Sequence, residues 1–377
     1  MGSSIRKNQT LRTDSLAGCS FCVAPLWNRH FRFYYDSRSA LLPDCIIRRL
    51  ILTLQLSIIG LDQTGVSFGL VLGSVKDKLL RIGHDPAQKR NNIIETPGAF
   101  DKIHFRLNEA VRDADIILLC VPVDQVEITL KEMTDDLKTG AIVIDTSRAA
   151  LAASQWAAQY LPKGIHFISM IPSINGQYLR ENADDSKIPH ENLFGNCEMV
   201  IATTHETHAD AMKMASEITT IAGAHACLTD VYEADGLFAR IDLMPKLASA
   251  AVLLATLDQP GWSDARKLAS RAYAQTTDTI QLFSELVNPS AELINNRENA
   301  IRALDGLTAA LAALREQVAA NDLKGLDAVL LDLKEGQAEW SDLRAAGNWD
   351  KSERDELEKP GGMLKRMFGD PSKLQKK

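Results

Sequence analysis

The sequence predicts an α/β protein: a doubly wound parallel sheet followed by an all-helical domain. Three observations lead there. Short apolar runs alternate with helix-length segments from about residue 50 to about residue 228. The first of these runs, LSIIG, enters a glycine turn and then a helix of small residues. From Tyr232 onward the pattern is nearly continuous helix.

Length and composition set the frame. The 377 residues suffice for two domains with cores of their own. Apolar content of 45% and charged content of 24% are those of an ordinary globular protein. The net charge of -7 argues against nucleic acid or an anionic membrane as partner. Cys120 and Cys197 sit inside apolar runs, as small core residues do, so a reducing compartment and a cytoplasmic location are expected. The longest membrane candidate, around Ile51 to Gly60, is interrupted by Gln55.

In chain order, residues 1–50 carry scattered aromatics and arginines with no sustained period. They read as a disordered or extraneous extension. Their Arg and Ser content has the flavour of a transit peptide but no amphipathic helix. Cys19 and Cys22 form a single CxxC pair, which is poor evidence for zinc. The stretch Leu56 to Leu70, LSIIGLDQTGVSFGL, then reads as strand, turn and helix. Such a turn gathers backbone N–H groups and a helix dipole at one point, ready for a phosphate.

The dinucleotide fingerprint asks for G-x-G-x-x-G. Gly60 and Gly65 hold its first and third places, and Asp62 holds the second. A carboxylate about 5 Å from a phosphate charge costs roughly 3 kcal/mol at an effective dielectric near 20. As a helix N-cap the same Asp62 would instead stabilise the protein by about 0.5–2 kcal/mol.

The second strand, KLLRIGHDP, ends in Asp85, where a carboxylate could accept both hydroxyls of an adenosine ribose. Asp85 also suits a strand-end turn before Pro86. Lys89 and Arg90 could hold a 2′-phosphate, so NAD is favoured over NADP only modestly. Further strands are expected at Asp115–Val121, Ala141–Asp145 and His166–Met170, with a last one in CEMVIATT. Their carboxyl ends, including Val121, Pro122 and Ser147, should open onto the crevice of Gly60. Residues 173–192 read as a polar loop over its mouth. His205 and His208 in HETH suit an exposed helix cap better than a metal site, and no metal is expected.

The helical part is expected as 233–257 with a kink at Pro245, then 266–287, 292–319 and 323–343. Helices apolar on more than one face bury the second against another subunit, so a homodimer is expected. The tail after residue 347 is basic and reads as flexible. The expected organisation is thus 1–50 extension, 51–228 Rossmann-type domain, 229–347 helical substrate and dimerisation domain, and 348–377 tail.

From Leu56 to about Val329, some three quarters of its length, the chain resembles the prephenate and arogenate dehydrogenases of tyrosine biosynthesis. The segments that carry the likeness are IIGLDQTGVSFGLVL, GHDP, GAFDKIHFRLNEAVRDADIILLCVPVDQV, LKTGAIVIDTS, ISMIPSING, NLFGN and INNRENAIRALDGLTAALAAL. The resemblance implies NAD- or NADP-dependent oxidative decarboxylation of prephenate, a small dianion, to 4-hydroxyphenylpyruvate. It also implies a histidine before a proline after the DxxS segment, a position held here by Ile171 before Pro172. The family's Ser-His-Leu-Pro-His appears as Asp242-Leu243-Met244-Pro245-Lys246, and its Thr-Arg as Thr277-Asp278. Its serine falls on Ser147 if one residue is deleted, and otherwise on Arg148.

The candidate catalytic residues are therefore Ser147, Lys246 and His190. Lys246 could meet a substrate carboxylate or pair with Asp242 at i, i+4. His190 could supply an imidazole after loop closure or remain a solvated loop residue. The candidate cofactor residues are Gly60, Asp62, Gly65, Asp85, Val121 and Pro122. The second functional reading is a catalytically silent relative that binds a ligand or partner.

Overall fold

The first strand, β1 (Leu54–Ile59), buries Leu56, Ser57, Ile58 and Ile59 completely. A strand apolar without alternation is one covered on both faces, as parallel sheets require. The computed structural model describes residues 54–85, 96–181 and 187–347. The expected extension 1–50 with its CxxC pair, Lys89, Arg90 and the tail 348–377 lie outside the described residues.

Seven further strands join β1: β2 (Leu79–His84), β3 (Lys102–Ile103), β4 (Ile116–Leu119), β5 (Ile142–Asp145), β6 (His166–Pro172), β7 (Glu198–Thr203) and β8 (His225–Asp230). Among the described residues they form one sheet in the order β3-β2-β1-β4-β5-β6-β7-β8. The strand order reverses between β1 and β4, which opens a crevice at their carboxyl ends.

Six of the seven pairings are parallel, as expected, and β6–β7 is antiparallel. The reason lies in the connection. Between Pro172 and Glu198 no described helix carries the chain back across the sheet, so β7 starts at the edge where β6 ended. β8 escaped the sequence reading because its residues, HACLTD, are mostly exposed and lack a buried apolar run.

Helices cover both faces. Helix α1 (Gln63–Val71) packs Val66 and Phe68 into one core, where the Phe68 ring stacks on Phe194 with centroids 4.2 Å apart. The opposite face is covered by α2 (Leu107–Val111), α3 (Val123–Met133) and α4 (Ala150–Tyr160), through Ala110, Val126, Leu130 and Ala153. Helix α5 (Ala209–Ile221) joins the Phe68 side with Ala211, Ala215 and Ile218. Each fully buried large side chain contributes roughly 1.5–3 kcal/mol relative to exposure.

Arg81 of β2 is buried and fixes the sheet to α1. Its guanidinium donates to the Gly69 and Gly98 carbonyls and pairs with Asp101 at 3.0 Å. The hydrogen bonds from Arg81 hold the Asp101 carboxyl below its usual range.

After β8 the chain turns helical: α6 (Val231–Phe238), one wide π turn at Ala239–Leu243, then α7 (Met244–Thr256). Pro245 stands in the first turn of α7, where its missing N–H costs no hydrogen bond. At the position of the expected kink, the residues just before Pro245 form a π turn. The single helix expected over 266–287 is instead α8 (Trp262–Leu268), α9 (Arg271–Asp278) and a 3-10 stretch. Ser270 restarts the chain there, its hydroxyl accepting from the Tyr273 amide.

The last helices are α10 (Ser290–Asn295), α11 (Arg297–Ala319) and α12 (Leu323–Ala346). Helix α12 returns to the connection after β6. Arg344 donates to the Ile174 carbonyl, and Arg180 reaches Ser341 Oγ at 2.6 Å. A Cβ at Gly176 would lie 2.3 Å from the Arg344 carbonyl oxygen, so only glycine permits this approach. No helix among the described residues is long and apolar enough to cross a membrane.

Candidate functional site

The glycine turn at the end of β1 is built by close backbone contact. Gly60 adopts φ +95°, and a Cβ there would come within 2.3 Å of the Cys120 carbonyl oxygen at the end of β4. A Cβ on Gly65 would stand 2.0 Å from the Gly60 carbonyl oxygen. Both positions therefore demand glycine, which accounts for the two fingerprint residues that this sequence keeps.

Asp62 is the N-cap of α1. Its Oδ1 accepts from the Gly65 amide at 3.0 Å, while its own carbonyl takes the Val66 amide. The carboxylate thus folds back on the third helical residue, leaving the amides of Gln63 and Thr64 with no protein acceptor among the described residues. Asp85, buried at the end of β2, accepts from the Leu61 amide at 3.1 Å. It braces the turn from the end of the neighbouring strand. Val121 is buried beside Gly60, and Pro122 is the N-cap of α3. These residues fit an adenine dinucleotide: the amides at the start of α1 suit a diphosphate, with the Asp62 carboxyl beside them.

The connection after β6 seats on α1. Gln63 Nε2 donates to the Ile188 carbonyl at 3.0 Å, and the His190 amide donates to Ser67 Oγ at 3.0 Å. The His190 ring stacks on Tyr178 at 4.1 Å, with Nε2 3.3 Å from Glu181. The expectation of a solvated His190 is thereby corrected. The ring is half-buried between an aromatic face and a carboxylate, because its backbone is pinned to α1.

At the carboxyl end of β5, Ser147 Oγ donates to Asp145 Oδ2 at 2.7 Å. Asp145 is fully buried; desolvation pushes its carboxyl up to about 6, against the Ser147 hydrogen bonds and with nearby Asp235 adding to the rise. Asp235 of α6 caps α4 from a distance, accepting from the amides of Ala150 at 2.7 Å and Leu151 at 3.3 Å. Burial lifts its carboxyl to about 6 as well.

Arg148, the next residue, leaves the sheet edge and pairs with Asp242 in the π turn. Asp242 also binds Lys246 Nζ at 2.9 Å, and Lys246 binds Glu292 of α10 at 2.7 Å. Burial works to raise the Asp242 carboxyl, but the Arg148 and Lys246 charges outweigh it and hold the group below its usual range. A cleft between Arg148, Phe238, Asp242, Glu292 and Asn296 leaves about 10 Å³ for solvent, room for about one water.

The structure thus links Lys246 through Asp242 to Arg148, the chain neighbour of Ser147, and seats His190 against α1. Ile171 is fully buried among Ala150, Val200, Ala234 and Phe238. Asp278 is exposed at the end of α9. His208 caps α5, Nδ1 accepting from the Asp210 amide, and His205 is exposed. No group of three or more metal-ligating side chains occurs among the described residues.

Sequence reasoning missed Asp235, Glu292 and the Arg148–Asp242 pair. Their partners lie tens of residues away, and only the i, i+4 spacing of Asp242 and Lys246 was visible locally.

With this geometry in place, the chain compares clearly with known proteins. Residues 72–228 match the family model described as "Prephenate dehydrogenase, nucleotide-binding domain". A prephenate dehydrogenase from A. aeolicus, solved in complex with hydroxyphenyl propionate and NAD+, is similar with TM-score 0.63 and 18% identity, covering 76% of this chain and 98% of that one. Synechocystis arogenate dehydrogenase gives 0.58 and 20%, over 76% and 100%. A putative prephenate dehydrogenase from Corynebacterium glutamicum gives 0.59 and 15%, over 78% and 89%. At these identities the solved structures establish the fold, and the family match names the nucleotide-binding half. Over residues 72–228 the chain is similar to the nucleotide-binding domain of prephenate dehydrogenases, and its fold is that of the prephenate and arogenate dehydrogenases.

Proposed function

We propose that the protein is a nicotinamide-dependent dehydrogenase of the prephenate type, acting in tyrosine biosynthesis. The observation that carries this reading is the glycine turn of Gly60 and Gly65, braced by Asp85 and followed by residues 72–228, which match that family's nucleotide-binding domain. Gly60, Gly65, Val121 and Pro122 would shape the floor beneath the diphosphate, with the amides of Gln63 and Thr64 as donors. Asp85 favours the free ribose of NAD over the phosphate of NADP. When bound, the nicotinamide supplies the acceptor for a hydride. Residues 51–228 would then serve the cofactor and 229–347 the substrate and a second subunit.

Support for a homodimer comes from apolar side chains left in solvent on the helices: Leu254, Leu268, Leu311, Val318 and Leu323 are each more than half exposed. A cytoplasmic site of action accords with the buried free thiols of Cys120 and Cys197.

The substrate half needs cations for a dianion, and Arg148 and Lys246 are the candidates nearest the sheet edge. Both are neutralised by Asp242 and Glu292, so binding prephenate requires these carboxylates to yield. That closure, with Ile171 in the core, favours the second reading, a catalytically silent binding protein. Purified protein with prephenate or arogenate, and NAD or NADP, should produce absorbance of the reduced nicotinamide. Calorimetric binding of NAD without reduction by any substrate would favour the silent relative. Failure to bind either dinucleotide would overturn both.

A further inference from the structure

Oxidation of a ring hydroxyl releases a proton, so a site for this reaction needs an acceptor. Open sheets of this kind bind ligands at the carboxyl ends of their strands, that of β5 among them. The ionisable groups there can be taken in turn. Asp235 is committed to two amides of α4. Asp242 is paired with Arg148 and Lys246. The Cys120 thiol is pushed well up by burial, with Asp62 and Asp145 adding to it, and stays protonated. His190 is held against α1.

Asp145 differs from all of these. It has no exposed surface, one oxygen accepts from Ser147, and its Oδ1 has no hydrogen-bond partner among the described residues. Ser169, its register partner on β6, likewise carries a buried hydroxyl without a partner. Buried polar atoms are almost always satisfied, and exceptions call for a reason. Adjacent strands hold this unsatisfied pair on one face of the sheet.

We propose that Asp145 is the terminal proton acceptor of the reaction, acting through Ser147, whose hydroxyl meets the substrate. The proposal rests on the dehydrogenase reading above. Ser147 is the catalytic residue and Asp145 the positioning residue behind it. With its proton directed at Asp145 Oδ2, Ser147 Oγ keeps its lone pairs for accepting a proton. As the C–H bond of the carbinol carbon breaks, its electron pair passes to the bound nicotinamide as hydride. The substrate O–H proton goes to Ser147 Oγ, and the serine proton passes to Asp145 Oδ2. Loss of the ring carboxylate as carbon dioxide returns an electron pair to the ring oxygen. That oxygen recovers the proton along the same two groups, so no net proton is released. Asp145 must be ionised to begin, and Asp235 and Cys120 are the titratable groups that flank it.

The test compares the full-length chain with Asp145→Asn, Ser147→Ala, the double variant and Ser147→Thr, given prephenate and NAD from pH 5 to 9. A lost general base costs roughly 10²–10⁴-fold in rate. Each single variant to Asn or Ala should lose about that much kcat, the double should lose no more, and threonine should restore most of it. The unmodified chain should lose kcat below about pH 6, where Asp145 protonates, and Asp145→Asn should abolish that limb.

A second readout needs no turnover. The Asp145 carboxyl band, identified by its absence in Asp145→Asn, should titrate in the infrared spectrum, with its midpoint raised in Ser147→Ala. Multiplicative losses in the double variant, or an unchanged pH limb, would overturn this proposal while leaving the dehydrogenase reading intact. Absence of turnover in the unmodified chain would overturn the proposal and its premise together.

Discussion

The cofactor half and the helical half of this molecule solve the same problem differently. In the first, Phe68, Leu130 and Ile144 are fully enclosed, and every helix closes a face of the sheet. In the second, α11 buries only Ala300 and Ala303, and α12 buries nothing completely. The first half is stabilised by its own core. The second holds its form with a buried ionic network and leaves apolar side chains in solvent. The family model, which matches residues 72–228, falls within the first half.

The sharpest way to break this comparison is core truncation. Phe68→Ala removes a ring stacked on Phe194 and should cost roughly 3–5 kcal/mol in denaturant unfolding. A much smaller loss would mean that the sheet does not carry the fold.

Next is the charge in the glycine turn. Asp62→Gly should tighten NAD binding by about 3 kcal/mol, or two decades, by calorimetry. As a cap replacement it should cost only about a few tenths of a kcal/mol in stability. Equal affinity in the two proteins would show that the capped carboxylate does not sense the diphosphate.

Of similar size is the pH dependence of stability from Asp145 and Asp235. Each carboxyl is raised from 3.8 to about 6, so the folded state holds its proton more tightly than the unfolded chain. Their contribution is therefore greatest below about pH 4 and is lost as pH rises through about 6. The loss is at most about 3 kcal/mol for each group. Asp145→Asn should raise stability at pH 8 and flatten the profile between pH 4 and 6 in thermal unfolding. Unchanged stability at pH 8 would contradict the burial of a charged Asp145.

The smallest expected effect is at the exposed helices. Leu311→Ser and Val318→Ser should each change unfolding of the isolated chain by within about 0.5 kcal/mol, yet lower the mass seen by light scattering. A monomeric parent chain would remove this prediction and the dimer with it.

How much was legible in the sequence divides along the same line. The strands of the sheet were readable because burial on both faces leaves unbroken apolar runs such as LSII and IILL. The cap at Asp62 was readable as an alternative, since an aspartate three residues before Gly65 reaches its amide. Strand β8 was not, because an exposed edge strand has no such run. The reversal of β7 was hidden too, since direction depends on where a connection ends. In the candidate site, the Asp242–Lys246 pair was local and visible. Glu292, Arg148 and Asp235 act across separations that no periodicity encodes. The half-buried setting of His190 depends on Ser67, on a different element altogether.

The return of α12 to the connection after β6 has a consequence for how the protein is made. Arg344 and Ser341 leave the ribosome more than 150 residues after Ile174 and Arg180, the groups that they hold. The rim of the nucleotide crevice therefore waits, unclasped, while nearly half of the polypeptide is still being translated. A nascent chain stalled before its final helix would carry a finished sheet with an unfastened entrance.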